Sequence, residues 1–164
     1  MNKFSFKWDF LGLSLVLALA AFTFAACSND DDDEEGGEDS GAWYQSLGTL
    51  YVAEGDYTQD SVKVALFKNG EAGKVAVHFY NVRFSSHMPV YLNDMVIDGV
   101  TSATTSAGHT LTGDSIIPTT GGSPYATYMV TNLHGTVTDK ELTLDLKFGS
   151  YHTTYQGDLL LGDK

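Results

Sequence analysis

The sequence predicts an all-β protein, folded as an antiparallel up-and-down barrel of about eight strands. Three observations predict it. From Gly41 onward apolar residues recur with period two, and no stretch holds a 3.6-residue apolar period for three turns. Breaks rich in Gly, Ser, Thr, Asn and Pro punctuate these runs. The runs follow one another too closely for helical crossovers, so hairpins must join them. A two-sheet sandwich satisfies the same pattern. Closure is the better solution, because it removes sheet edges that would pair between chains.

Taken in order, a first strand is expected at 48–54. "VKVALF" (62–67) and "KVAVHF" (74–79) flank "KNGEAG", which reads as a hairpin with Asn69-Gly70 in its turn. Val75, Val77 and Phe79 share a face. Continuing that count would place Arg83 on the same face and Val82 and Phe84 opposite, so a bulge or strand end is predicted near Tyr80-Asn81. Further strands are expected at 91–100, 109–117 and 125–137, after the breaks "SSHMP", "TTSAG" and "PTTGGSP". "ELTLDLKF" (141–148) sets Leu142, Leu144, Leu146 and Phe148 on one face and Thr143, Asp145 and Lys147 on the other. A last strand is expected at 153–161.

Ahead of this domain, Lys3 and Lys7 precede "FLGLSLVLALAAFTFAA", apolar except for Gly12, Ser14 and Thr23. A charged start, an apolar run and a small-residue exit are the parts of a secretory signal. The run is 17 residues long, at the lower limit for the alternative, a membrane span. The Ala25-Ala26 pair before Cys27 favours cleavage. "FAAC" resembles a bacterial lipobox, with Phe24 in place of the usual Leu or Val; the resemblance implies that Cys27 is lipidated and becomes the mature N-terminus. Several acyl chains on one cysteine anchor stably, at about 0.8 kcal/mol per buried methylene. The tract that follows, "SNDDDDEEGGEDSG", has no apolar residue to bury and repels itself, so it is expected to be a disordered tether. "CSNDDDDEE" also resembles the acidic surface-export signal of Bacteroidota-type lipoproteins, which implies an outer-membrane protein facing the cell exterior. The expected organisation is a signal peptide at 1–26, a lipidated Cys27 with its tether at 27–42, and the barrel at 43–164.

The formal net charge of −12 is unevenly placed. Residues 28–40 carry eight acids and no base, while seven Lys or Arg face twelve Asp or Glu from Gly41 onward. No basic stripe exists to neutralise phosphates, which argues against a nucleic-acid partner. A single cysteine can form neither an internal disulfide nor a cysteine metal cluster.

A second resemblance lies within the barrel. "NVRFSSHMPVYLNDMVIDGV" (81–100) is similar to a segment of the calycin-like β-barrel domain of Bacteroidota lipoproteins, through Asn81, Phe84, Met88-Pro89, Asp94, Val96-Ile97 and Gly99-Val100. "LHGTVTDKELTLDLKF" (133–148) resembles the late hairpin of the same family. The likeness covers most of 48–161 and implies a lipocalin-like barrel without bringing catalytic residues. "GAWY" (41–44) is similar to the Gly-x-Trp that opens true lipocalins, where the Trp packs beneath a basic residue from the chain's end; here the one Arg is Arg83, in mid-chain, and Lys164 is terminal, so Trp43 is expected to cap one end of the barrel.

Reactive chemistry is sparse. No two of the five histidines stand at a ligand spacing; His87, His109 and His134, with Met88 beside the first, would have to converge from separate elements to hold haem or a metal. There is no G-x-S-x-G elbow, and "TTGGSP" lacks the Lys and helix of a phosphate cradle. Asp94 and Asp98 share a strand face, where turn chemistry at Asp98-Gly99 accounts for them equally well. No enzyme activity, metal or cofactor is expected. The aromatic stretch "FGSYHTTY" (148–155), opposite "GGSPYATY" (121–128), offers a rim on which a sugar or lipid would stack. Eight strands enclose room either for packed side chains or for one small ligand. The first expectation is therefore a barrel that binds a small apolar or amphipathic ligand, lined by Val77, Phe79, Leu144, Leu146 and Phe148. The alternative is a filled barrel that acts as a structural, protein-binding or glycan-binding module, for example an inhibitor.

Overall fold

The computed structural model describes residues 41–160. The signal segment, Cys27 and the acidic run lie outside the described residues. The strands are β1 (Ala42–Val52), β2 (Tyr57–Lys68), β3 (Lys74–Val82), β4 (Leu92–Thr105), β5 (Gly108–Gly113), β6 (Thr119–Thr120), β7 (Ser123–Pro124), β8 (Val130–Val137), β9 (Glu141–Phe148) and β10 (Tyr151–Leu159). Helix is confined, among the described residues, to one 3₁₀ turn at Ala126–Tyr128.

Eight of these strands close a ring. Each pairs antiparallel with its neighbour in the order β1, β2, β3, β4, β5, β8, β9, β10, and β10 returns to β1. The barrel is thus the closed up-and-down meander that the sequence predicts. The short β6–β7 hairpin is the one addition; β6 pairs with β4 at Met95 and Val96, below the stretch where β5 takes over. Because every connection reverses the chain, the start of β1 and the end of β10 share one end with the tight turns 69–73, 106–107 and 138–140. The long connections 83–91 and 114–129 share the other end.

Alternation decides what enters the barrel. On β9, Leu142, Leu144, Leu146 and Phe148 are buried while the residues between them face outward. The parity break predicted at Tyr80-Asn81 takes the form of a left-handed backbone at Asn81, φ 52°. It coincides with the end of β2–β3 pairing at Lys63 and Tyr80. It restores Val82 and Phe84 to the core, both fully buried. Register shifts of one residue also occur in β2 near Ser61 (φ 58°), in β4 near Gly99 (φ 78°) and in β8 near Asn132 (φ 52°). Such bulges sharpen the local twist and curvature that a closed sheet needs.

Several expected boundaries shift. β1 begins at Ala42 rather than 48, because Tyr44 and Ser46 point inward and pair with β2 through a further register shift at Trp43. β2 begins at Tyr57, since the bulge at Ser61 lets the polar stretch before it stay paired to β1. The expected strand 109–117 stops at Gly113, where Asp114 turns back and accepts the Asn132 N–H at 3.0 Å. The expected strand 125–137 starts only at Val130, because Tyr125–Tyr128 fold into the 3₁₀ turn that tucks its rings over the barrel end.

Candidate functional site

The five residues expected to line a ligand space all lie inside the barrel. Val77 and Phe79 come from β3, and Leu144, Leu146 and Phe148 from β9. All five belong to one core cluster. In the ring these two strands face each other across the bore, with three strands between them on either side. Their rings nevertheless touch: the centroids of Phe79 and Phe148 are 5.6 Å apart in an edge-to-face arrangement. Phe79 also meets Tyr155 at 6.0 Å, and Phe148 meets Phe84 at 4.7 Å. Opposite walls are therefore in van der Waals contact through fully buried aromatic side chains.

The polar groups of the interior are few and mostly satisfied. Tyr155 Oη lies 3.0 Å from Ser46 Oγ and donates to the Val62 carbonyl at 3.2 Å. Burial pushes the Tyr155 phenol up to about 12, so it is a neutral donor under any ordinary condition. A Cβ at Gly157 would collide with that hydroxyl, and one at Gly48 would strike the backbone of Gln156 and Gly157. The paired glycines thus let β1 and β10 approach and make room for Tyr155. The Tyr44 phenol is likewise pushed up to about 12, by burial first and then by Glu141, Asp139 and Asp158.

Of the aromatic rim anticipated from 121–128 and 148–155, Tyr125, Tyr128 and Tyr151 come together, while Phe148 and Tyr155 lie in the core. Tyr128 and Tyr151 pack on Phe84 at centroid distances of 5.0 and 5.8 Å and on each other at 6.0 Å, and Tyr125 lies 5.0 Å from Tyr128. Tyr128 is nearly buried, and Met88 packs against the group with its sulfur accepting the Phe84 N–H at 3.2 Å. The cluster forms a plug across the long-loop end of the barrel. At the other end Trp43, half-buried, lies 5.1 Å from the His109 ring. The three histidines considered for a metal do not converge. His109 stands at the turn end, His134 on the outer wall of β8, and His87 in the long loop 83–91. Among the described residues no group of three or more His, Cys, Asp or Glu is placed to hold a metal ion. His78 and His152 instead approach Asp94 and Asp145 at 3.2 and 2.8 Å on the outer surface. Asp98 is engaged by Asn69 and by the Gly99 N–H, as turn chemistry requires.

Several clefts are lined by described residues, four of them well formed. Val77, Phe79, Leu146 and Phe148 line none of these four, and only Leu144 reaches the floor of one. That one, of about 850 Å³, is an open groove crossing the outer faces of β5, β8, β9, β10 and β1 between threonine side chains, His134, Asp145, Gln156 and Tyr51. A second, of about 690 Å³, lies beside Trp43, His109, Lys68 and Lys74 at the turn end. A third, of about 580 Å³, opens at the long-loop end between Gln59, Asn81, Val90, Tyr91 and Asn93.

Beside this third cleft is a constellation that sequence reasoning missed. Arg83, the chain's one arginine, donates from Nε to the Tyr57 hydroxyl at 2.6 Å. Its guanidinium carbon lies 4.7 Å from the Tyr91 ring centroid and 5.4 Å from that of Tyr57. Its backbone N–H is held by Gln59 Oε1 at 3.1 Å, while Gln59 Nε2 donates to the Asn81 carbonyl at 2.7 Å. The one sequence signal was the conflict of parity at Arg83, which marked a residue out of step with the core.

The site and fold thus define a closed antiparallel barrel whose chemistry-bearing side chains lie on its outside. The chain matches no family model, no curated protein and no solved structure.

Proposed function

We propose that this protein is a lipid-anchored cell-surface module in which the barrel is a filled scaffold and binding takes place on its outer wall and loop end. The observation that carries this reading is the Phe79–Phe148 contact between opposite walls, backed by Phe84 and Tyr155. Rings that already meet across an eight-stranded bore leave their volume to one another rather than to a ligand. On this reading the barrel fixes the loops in space, as rigid scaffolds do for recognition surfaces. Cys27 carries the acyl chains, and the calycin-like resemblance describes a shared architecture rather than a shared ligand.

Native mass spectrometry of the mature chain, purified from its host in mild detergent, tests the scaffold reading. The expected spectrum shows the protein mass plus acyl chains and nothing further after incubation with fatty acids or haem. A reproducible non-covalent adduct that disappears on denaturation, and that Phe148→Trp abolishes, would return the interior to a ligand. The same spectrum reads the anchor, since Cys27→Ala removes the acyl mass.

A further inference from the structure

We propose that the cleft beside Arg83 is a receptor for a carboxylate-bearing sugar ring, such as a uronic or sialic acid unit. The starting point is an uncompensated charge. The domain is acidic, yet no carboxylate among the described residues pairs with Arg83, and only its Nε is engaged. The two terminal nitrogens keep four N–H donors without a partner among the described residues.

The guanidinium is also held still. Its backbone N–H, its Nε and both flanking rings fix the fork before anything binds, so little side-chain entropy remains to be lost. A planar fork with two free ends matches a carboxylate in bidentate fashion. A phosphate dianion calls for more positive charge than this cleft supplies, since no lysine lines it.

The rest of the lining selects the body of the ligand. Tyr91 is 47% exposed and Val90 61%, which provides an aromatic face and a methyl-bearing flank for the C–H side of a pyranose and for an N-acetyl methyl. Asn93 and Asn81 present amides, which both donate and accept and so suit ring hydroxyls. The volume, about 580 Å³, lies in the range of small-ligand sites. A peptide adding as a strand is obstructed at this point, because beyond the end of β2–β3 pairing Gln59 already takes the Asn81 carbonyl and the Arg83 N–H, and β4 pairs the other side of β3. The inference rests on the reading that binding occurs outside the barrel. The two fail separately, since an interior ligand is seen by mass and the sugar by titration at Arg83.

The test is saturation-transfer NMR and calorimetry on the mature chain in mild detergent, with the methyl glycosides of glucuronic and N-acetylneuraminic acid as probes. Methyl glucoside, acetate and an acetylated dipeptide with a free C-terminus are the comparisons. One acidic sugar is expected to bind at least about tenfold more tightly than methyl glucoside and than acetate, and to weaken with salt. Arg83→Gln and Arg83→Lys should each lose about tenfold, the second because it keeps the charge but not the fork. Asn93→Ala should weaken binding several-fold at unchanged melting temperature, which keeps the test decisive if the arginine variants fold poorly. Equal binding of acidic and neutral sugars, or no loss in both Arg83→Gln and Asn93→Ala, overturns the proposal. So does acetate matching the sugars, or the dipeptide exceeding them, which would assign the fork to a bare or peptide carboxylate.

Discussion

Truncation of Phe148 to alanine separates a filled barrel from a ligand-holding one. The ring has no exposed surface and sits between Phe79 and Phe84. Removing it from a packed core loses about 2 kcal/mol of transfer free energy. A ring-sized void of about 100 Å³, at about 24 cal/mol per Å³, adds about 2 kcal/mol more. The expected loss is therefore about 4 kcal/mol, a large part of the 5–15 kcal/mol typical of a domain. For a domain of this size it corresponds to a fall in melting temperature of about 15 °C. Urea unfolding followed by tryptophan fluorescence and far-UV circular dichroism measures it, with an unchanged m-value expected. If Phe148 instead bordered a ligand space, its removal would enlarge an existing void and cost little. A loss below about 1 kcal/mol would refute the packing argument and the scaffold reading with it.

Gly157→Ala forces a methyl against the Tyr155 hydroxyl and the Leu47 backbone, and should cost about 2–4 kcal/mol through overpacking and a broken buried hydrogen bond. A double-mutant cycle with Tyr155→Phe should recover part of that loss, and strict additivity would contradict the contact. Tyr44 and Tyr155, both pushed up to about 12 in the fold, ionise near 10 in the unfolded chain, so the stability they contribute is intact below pH 10 and declines as pH rises from about 10 to about 12. Phenolate absorbance at alkaline pH should accordingly lag that of the denatured protein until the barrel opens. Asn81→Gly should fold normally, whereas Asn81→Val, with a β-branched residue forced to φ 52°, should lose about 1–2 kcal/mol by thermal melt.

The fold was legible wherever a single strand carried its own pattern. Leu142, Leu144, Leu146 and Phe148 announce an inward face without reference to any other residue. Val77 and Phe79 do the same on β3. What alternation cannot express is the distance across the barrel. Whether Phe79 reaches Phe148 depends on bore width, and that depends on strand number, on bulges and on the close approach at Gly48 and Gly157, 109 residues apart in the chain. The strand starts at Ala42 and Tyr57 were hidden for a related reason, since bulged registers at Trp43 and Ser61 interrupt the period that reveals a strand. Of the rim tyrosines, Tyr125, Tyr128 and Tyr151 do meet while Tyr155 lies in the core, because sequence proximity says nothing of which way rings turn. Here Tyr128 turns into the plug.

Arg83 shows how one local distortion ties scaffold to surface. Had the strand continued in phase past Tyr80, the Arg83 side chain would have pointed into the bore, where an unpaired charge costs far more than any contact there returns. The left-handed residue at Asn81 reverses the phase. Val82 and Phe84 enter the core, and Phe84 becomes the stacking partner of Phe148, Tyr128 and Tyr151. By the same rotation Arg83 leaves the core and reaches Tyr57 on β2 and Tyr91 at the far end of the loop. Gln59 then bridges the Asn81 carbonyl and the Arg83 N–H, so the distorted backbone is held by the strand it has stopped pairing with. The aromatic plug that fills the barrel and the fork that faces solvent are therefore consequences of a single backbone step. A change that straightened it would remove both.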